Sequence, residues 1–149
     1  MDNIFLKDQK PETLDSFLNY SEAGRDNLGD TIPVAVYRML EYSLKLELKN
    51  RFGKEEQVEI FRNAGRMAGE YFAKTFLNLN QPLDTFVSSL QSTLEKFKIG
   101  ILHIESIDEE TGRIILTVSE DADCSGLPVL GETVCNYDEG FISGILSLY

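Results

Sequence analysis

Several things are scarce in this chain of 149 residues, and each scarcity narrows what it can be. Tryptophan is missing, histidine occurs once and cysteine twice. No apolar run approaches the roughly 18 residues that a membrane span needs. Basic charge is thin: 14 Lys and Arg stand against 25 Asp and Glu, for a net charge of −11. Such a chain repels a phosphate backbone unless a local basic patch overrules it. None is visible, because Lys45, Lys49, Arg51 and Lys54 alternate with Glu41, Glu47, Glu55 and Glu56. Nucleic acid and anionic membrane surfaces are therefore not expected partners. The opening "MDNIFLKDQKPETLD" lacks the basic and long apolar regions of a secretory leader, so a cytoplasmic location with reduced thiols is expected.

Catalytic signatures are scarce as well. Triad or Cys–His chemistry would have to use His103, in "GILHIESI", with Ser125, Ser143 or a cysteine, and no nucleophile-elbow sequence accompanies them. The acidic clusters "DEETG" and "EDAD" read as solvated turns and lack the spacing of a calcium loop. Gly65-x-x-x-Gly69 falls in the middle of a helical pattern, where it is no dinucleotide fingerprint.

What is present reads as a packed scaffold. Apolar residues make up 42% and charged residues 26%, a balance that favours a folded domain over disorder. Residues 1–29 read as a polar N-terminal arm with a possible helical turn at "ETLDSFLNY", leading into a domain over 30–149. A first long helix is expected over about 32–52, capped by Asp30 or Thr31, with Pro33 in its first turn and Gly53 at its stop. Val36, Leu40, Leu44 and Leu48 would be its inward stripe. A second helix over about 54–79 has the strongest period, through Phe61, Ala64, Ala68, Phe72, Phe76 and Leu79. Pro82 opens a third, with Phe86, Leu90, Leu94 and Phe97 facing inward.

The period then changes. "IGILHIESI" and "RIILTVSE" read as two strands joined by the turn "DEETG", with Ile114, Leu116 and Val118 on one face. "NYDEGFISGILSLY" returns to helix, with Asp138 placed to cap it and no stop signal before Tyr149. Helices packed on a small antiparallel sheet, an α+β (α/β) fold, are the expectation. A lone hairpin is marginal, so the sheet is expected to gain strands from the arm, a partner or further sequence.

"NAGRMAGEYF" and "EGFISG" each place two glycines four residues apart: Gly65 with Gly69, and Gly140 with Gly144. Glycine inside a helix costs about 1 kcal/mol relative to alanine, so the pattern needs a reason. Tight helix–helix packing is one. The other is a cavity lined by Gly65, Gly69, Gly140 and Gly144 and closed by Tyr71, Phe72 and Phe76, with Leu40, Phe61 and Phe141 completing the wall. Cys124 and Cys135 raise a parallel choice. They could join Glu120, Asp121, Asp123 or Glu132 around zinc, form a disulfide, or remain buried thiols. Without a CxxC pair the order of preference is reduced thiols, then a shared metal site, then a disulfide.

The segment "CSGLPVLGETVCNYDEGFISGIL", with "NAGRMAGEYFAKTFL" upstream, resembles the 4-vinyl reductase (4VR) domain family over roughly 29–149. The resemblance implies a fold similar to vesicle-tethering TRAPP subunits and haem-based nitric-oxide sensors, often dimeric, with an apolar ligand cavity. It also implies zinc-ligand positions at Cys135 and, upstream, Cys124. The closing strands with further cysteine ligands that zinc-binding members carry are not in this sequence. The expected function is a non-catalytic small-molecule-binding or sensory domain taking a hydrophobic or aromatic ligand. The alternative is a homodimeric interaction module. The third reading, reduction of a tetrapyrrole vinyl group, has only the family name behind it, since no nicotinamide or flavin site is visible.

Overall fold

The computed structural model describes residues 13–18, 28–29, 31–108, 110–128, 131 and 133–149. The chain divides into two units, 1–31 and 32–149. In the first, the described residues form a short helix, α1 (Leu14–Leu18), opened by a bond from the Ser16 amide to the Thr13 carbonyl at 3.0 Å. The expected cap Asp30 lies outside the described residues.

The second unit is α+β and holds the remaining elements. Helix α2 (Val34–Phe52) starts behind Pro33, whose fixed φ of −60° suits a helix entrance; no side chain caps it. It stops at Gly53, whose φ of 88° lies where a β-carbon is disfavoured, so a single residue separates it from α3 (Lys54–Phe76). Helix α3 ends three residues earlier than its apolar period predicts. Leu77 turns extended, and Asn78 Oδ1 accepts the Asn80 amide at 3.0 Å, a side-chain turn that competes with the helix. Helix α4 (Leu83–Lys96) follows Pro82 directly.

Strands β1 (Ile101–Asp108) and β2 (Arg113–Ser119) pair antiparallel, from Ile101 opposite Ser119 to Asp108 opposite Arg113, with a register shift between Ile104 and Ser106. Their turn is stitched by Asp108 Oδ1, which accepts the amides of Glu110 and Thr111, and by Gly112 at φ 66°. Leu116 and Val118 pack inward as expected, but Ile114 is exposed, as are Ile107 and Ile115 at the same end of the hairpin. Among the described residues the sheet has two strands.

Helix α5 (Asn136–Leu146) differs from expectation at both ends. Cys135 takes the N-cap position and Asp138 lies inside the first turn. At the other end the chain leaves the helix after Leu146, and the Tyr149 ring stacks on Phe86 at 4.1 Å while its hydroxyl donates to the Gln81 carbonyl.

The core sits between α3, α4, α5 and β1. Phe86, Leu90 and Leu94, one helical turn apart on α4, meet Phe72 and Ala73 of α3, Leu102 of β1, and Phe141 and Ile145 of α5. Helix α2 contributes nothing to this cluster. No helix among the described residues is long and apolar enough to cross a membrane.

Candidate functional site

Helix α2 is inverted relative to its sequence pattern. Its polar side chains face the domain: Arg38 donates to the carbonyls of Ala122 (2.8 Å) and Ser125 (2.7 Å), Tyr42 to Asp123 Oδ1 (3.1 Å), and Lys45 to the Val134 carbonyl. The one buried residue of the helix is Glu41. Most of the apolar stripe expected to be buried is open instead, with Leu40 70%, Leu44 49% and Val36 48% exposed, and only Leu48 is half-buried. The reason is the loop between β2 and α5. Its free backbone carbonyls need donors, and the Arg38–Tyr42–Lys45 row supplies them.

The glycine-spaced helices do not line a cavity. A β-carbon on Gly65 would overlap the Tyr137 carbonyl oxygen, and one on Gly69 the Phe141 carbonyl oxygen. From the other side, Gly140 would meet the Arg62 carbonyl and Gly144 that of Arg66. The pairing order shows α3 and α5 running in the same direction with backbones touching, the geometry in which Cα–H groups approach carbonyl oxygens. Tight packing accounts for all four glycines. Phe72 fills the core instead of bordering a void, and Phe76, 45% exposed, packs on it from the surface: the Phe72 ring meets Phe76 at 5.1 Å, Phe97 at 5.5 Å and Phe141 at 5.3 Å, and Phe76 meets Phe97 at 4.7 Å.

Two concavities lie on either side of Tyr37 and Tyr137. One concavity, of about 230 Å³, runs between α2 and α3 and is lined by Leu40, Leu44, Leu48, Ile60, Phe61 and Ala64, with Glu41 in its wall. A second, of about 250 Å³, is lined by Phe97, Lys98, Ile99, Ala122, Asp123, Asp138 and Phe141. Tyr37 and Tyr137 border both. Of the ten residues predicted to line a ligand pocket, Leu40 and Phe61 border the first concavity and Phe141 the second, while half-buried Tyr71 lines neither.

Carboxyl groups connect the two spaces. Glu41 is 8% exposed and Asp123 is 1% exposed. Among the described residues, neither Glu41 oxygen meets a donor, nor does Asp123 Oδ2. The Asp123 carboxyl is the neighbour that most disfavours the charged form of Glu41. Burial first, and then Asp123, push Glu41 from its ordinary 4.5 up to about 8. Burial, then the charges of Asp123 and Asp121, push Asp138 up to about 7. Burial also raises the phenols of Tyr37, Tyr42 and Tyr137. "EDAD" is thus no solvated turn at Asp123. The signal for this cluster was in α2: Arg38, Glu41, Tyr42 and Lys45 form a polar stripe at helical spacing.

Beside the cluster, Cys124 and Cys135 are joined as a disulfide with their Cα atoms 6.5 Å apart, which corrects the expectation of reduced thiols. That separation is within disulfide reach. The loop folds back through Gly126 and Gly131, at φ 80° and 69°, and so brings the sulfurs together. Donor atoms of Asp121, Cys124 and Cys135, and again of Asp123, Cys135 and Asp138, lie within 4.8 Å of one another, a group that could hold a metal. Zinc wants thiolates, and disulfide sulfurs have none to give, so the paired form does not suit it. His103 is exposed on β1 with its Nε2 2.9 Å from Ser119 Oγ, and lines neither concavity.

No family model matches the chain, and no solved structure matches it. Two proteins of the archaeon Methanocaldococcus jannaschii, both described only as uncharacterized, are similar to it. The first is 25% identical over 146 residues, covering 98% of this chain and 77% of its own length. The second is 25% identical over 121 residues, covering 81% of this chain, which spans 64% of that relative's length.

Proposed function

We propose that this chain is a non-catalytic small-molecule-binding domain of the 4-vinyl reductase type, holding a hydrophobic or aromatic ligand in the concavity between α2 and α3. The observation that carries the reading is an apolar groove with a single carboxyl in its wall, beside a helix that faces the domain with its polar side. Small-molecule sites are concave and mostly apolar, with few placed polar groups. Native mass spectrometry and thermal shifts with a panel of aromatic and fatty compounds test it. Bound adducts and raised melting temperatures are expected, and their absence across the panel would refute it.

A second reading rests on the outward face of α2, where Val36, Met39, Leu40, Leu44 and Leu46 are exposed. Contiguous exposed apolar surface marks interaction sites, and a second copy of the chain covering this face would make a homodimer. Light scattering tests it. A dimer that Met39→Glu converts to monomer supports the reading, and a monomer at all concentrations removes it.

A further inference from the structure

The groove between α2 and α3 is apolar except at one place. Leu40, Leu44, Leu48, Ile60 and Phe61 offer only hydrocarbon, and then Glu41 presents a carboxyl, almost wholly buried, whose two oxygens meet no donor among the described residues. A buried carboxyl left in that state is expensive, and native folds rarely leave one without a partner. The helix carries an obvious candidate one turn on, Lys45, whose charge partly offsets the rise at Glu41, but its ammonium makes its hydrogen bond elsewhere. It donates to the Val134 carbonyl and lies over the rings of Tyr42, at 5.5 Å, and Phe61, at 5.9 Å. Arg38 is likewise committed to Ala122 and Ser125. The remaining neighbours make the demand for a cation stronger, since Asp123 from the loop and Asp138 from α5 both add negative charge towards Glu41.

We propose that the groove takes amphiphilic amines, the apolar body lying against Leu40, Leu44 and Phe61 and the protonated nitrogen donating to Glu41. This rests on the reading of the groove as a ligand site and names the class of ligand. The volume bounds the body. A cavity of about 150 Å³ holds benzene, so by proportion about nine heavy atoms fit here, one ring with a two-carbon amine arm. A bound ammonium favours the ionised form of Glu41, and the charge-assisted bond it then makes discriminates strongly against a ligand lacking the charge, while an anion would face the acidic wall directly.

Titration calorimetry with phenethylamine, 2-phenylethanol and phenylacetate separates the inference from the reading beneath it. On the whole chain, phenethylamine is expected to bind about tenfold or more tightly than the alcohol, and phenylacetate weakest. Glu41→Gln should remove the preference for the amine over the alcohol, and Ala64→Phe, which fills the groove, should weaken both. Circular dichroism confirms that each variant is folded. If alcohol and amine bind alike, or the preference survives Glu41→Gln, the groove stands as a site and the amine inference is overturned. If none of the three binds, the groove is no small-molecule site and both fall.

Discussion

Two seams hold α3 and α2 to the rest of the domain, and they are built on opposite principles. Where α3 meets α5, glycines let backbones touch, polar side chains stay at the rim, and there is no space left. Where α2 meets the cysteine loop, long polar side chains bridge to backbone carbonyls, the Glu41 oxygens and Asp123 Oδ2 are buried without donors among the described residues, and concavities open on both sides of Tyr37 and Tyr137. The first arrangement gains stability from close packing. The second gives stability away, because every unpaired buried oxygen weakens it. Tight seams carry the fold, and imperfect ones, repaired only when something binds, are where function is found.

The contrast is broken most severely at the glycines. Gly69→Ala should destabilise the fold by about 3 kcal/mol or more, because the new methyl meets the Phe141 backbone and a carbonyl cannot rotate away as a side chain can. Chemical denaturation measures it. A neutral or stabilising result, as alanine gives at an open helical site, would mean that the helices do not touch.

Opening the disulfide comes next. The loop it closes is short, with a sequence separation of 11, so reduction or a Cys124→Ser, Cys135→Ser double variant should lose about 3 kcal/mol. Melting with and without reductant reads the loss, and the reduced protein with added zinc asks whether thiolates beside Asp121, Asp123 and Asp138 then take the metal.

Glu41→Gln sharpens the comparison from the polar side. In the folded chain Glu41 keeps its proton to about pH 8, whereas the unfolded chain releases it near 4.5. Across that window the folded state binds more protons, so this group's contribution is full below about pH 4.5 and is lost as pH rises through 8. Asp138, raised to about 7, acts in the same sense. Glu41→Gln should therefore flatten the fall in melting temperature between pH 5 and 8, and be the more stable protein at pH 8. A wild type whose stability rises over that interval would contradict the burial of the pair.

The smallest effect is expected at the rim of the tight seam. Arg62 and Glu139 join α3 to α5 through an ion pair at 2.7 Å, but both are open to water, so Arg62→Ala should change stability by less than about 1 kcal/mol.

The α+β class, α3, α4 and the hairpin could be read from the sequence because each depends on a local signal: an apolar period, a proline at a helix entrance, or a turn before Gly112. The facing of α2 could not. Val36, Leu40, Leu44 and Leu48 form a regular stripe, and a stripe shows only that one side is apolar, not that the domain covers it. Long-range demand decided the matter, since the carbonyls of Ala122, Ser125 and Val134 lie more than eighty positions from the side chains that satisfy them. The glycine pairs announced a close approach without saying whether the neighbour was backbone or empty space. The pairing of Cys124 with Cys135 was obscured by an argument about compartment, which bears on oxidation state and not on reach.

The central claim is that the space beside α2, and not the glycine seam, receives a guest. A methyl-resolved NMR titration with 2-phenylethanol tests it directly. Shifts confined to Leu40, Leu44, Leu48 and Ile60, with Leu90 and Leu94 of the core unmoved, are the predicted result. Saturating ligand that leaves the four groove methyls unchanged would contradict it.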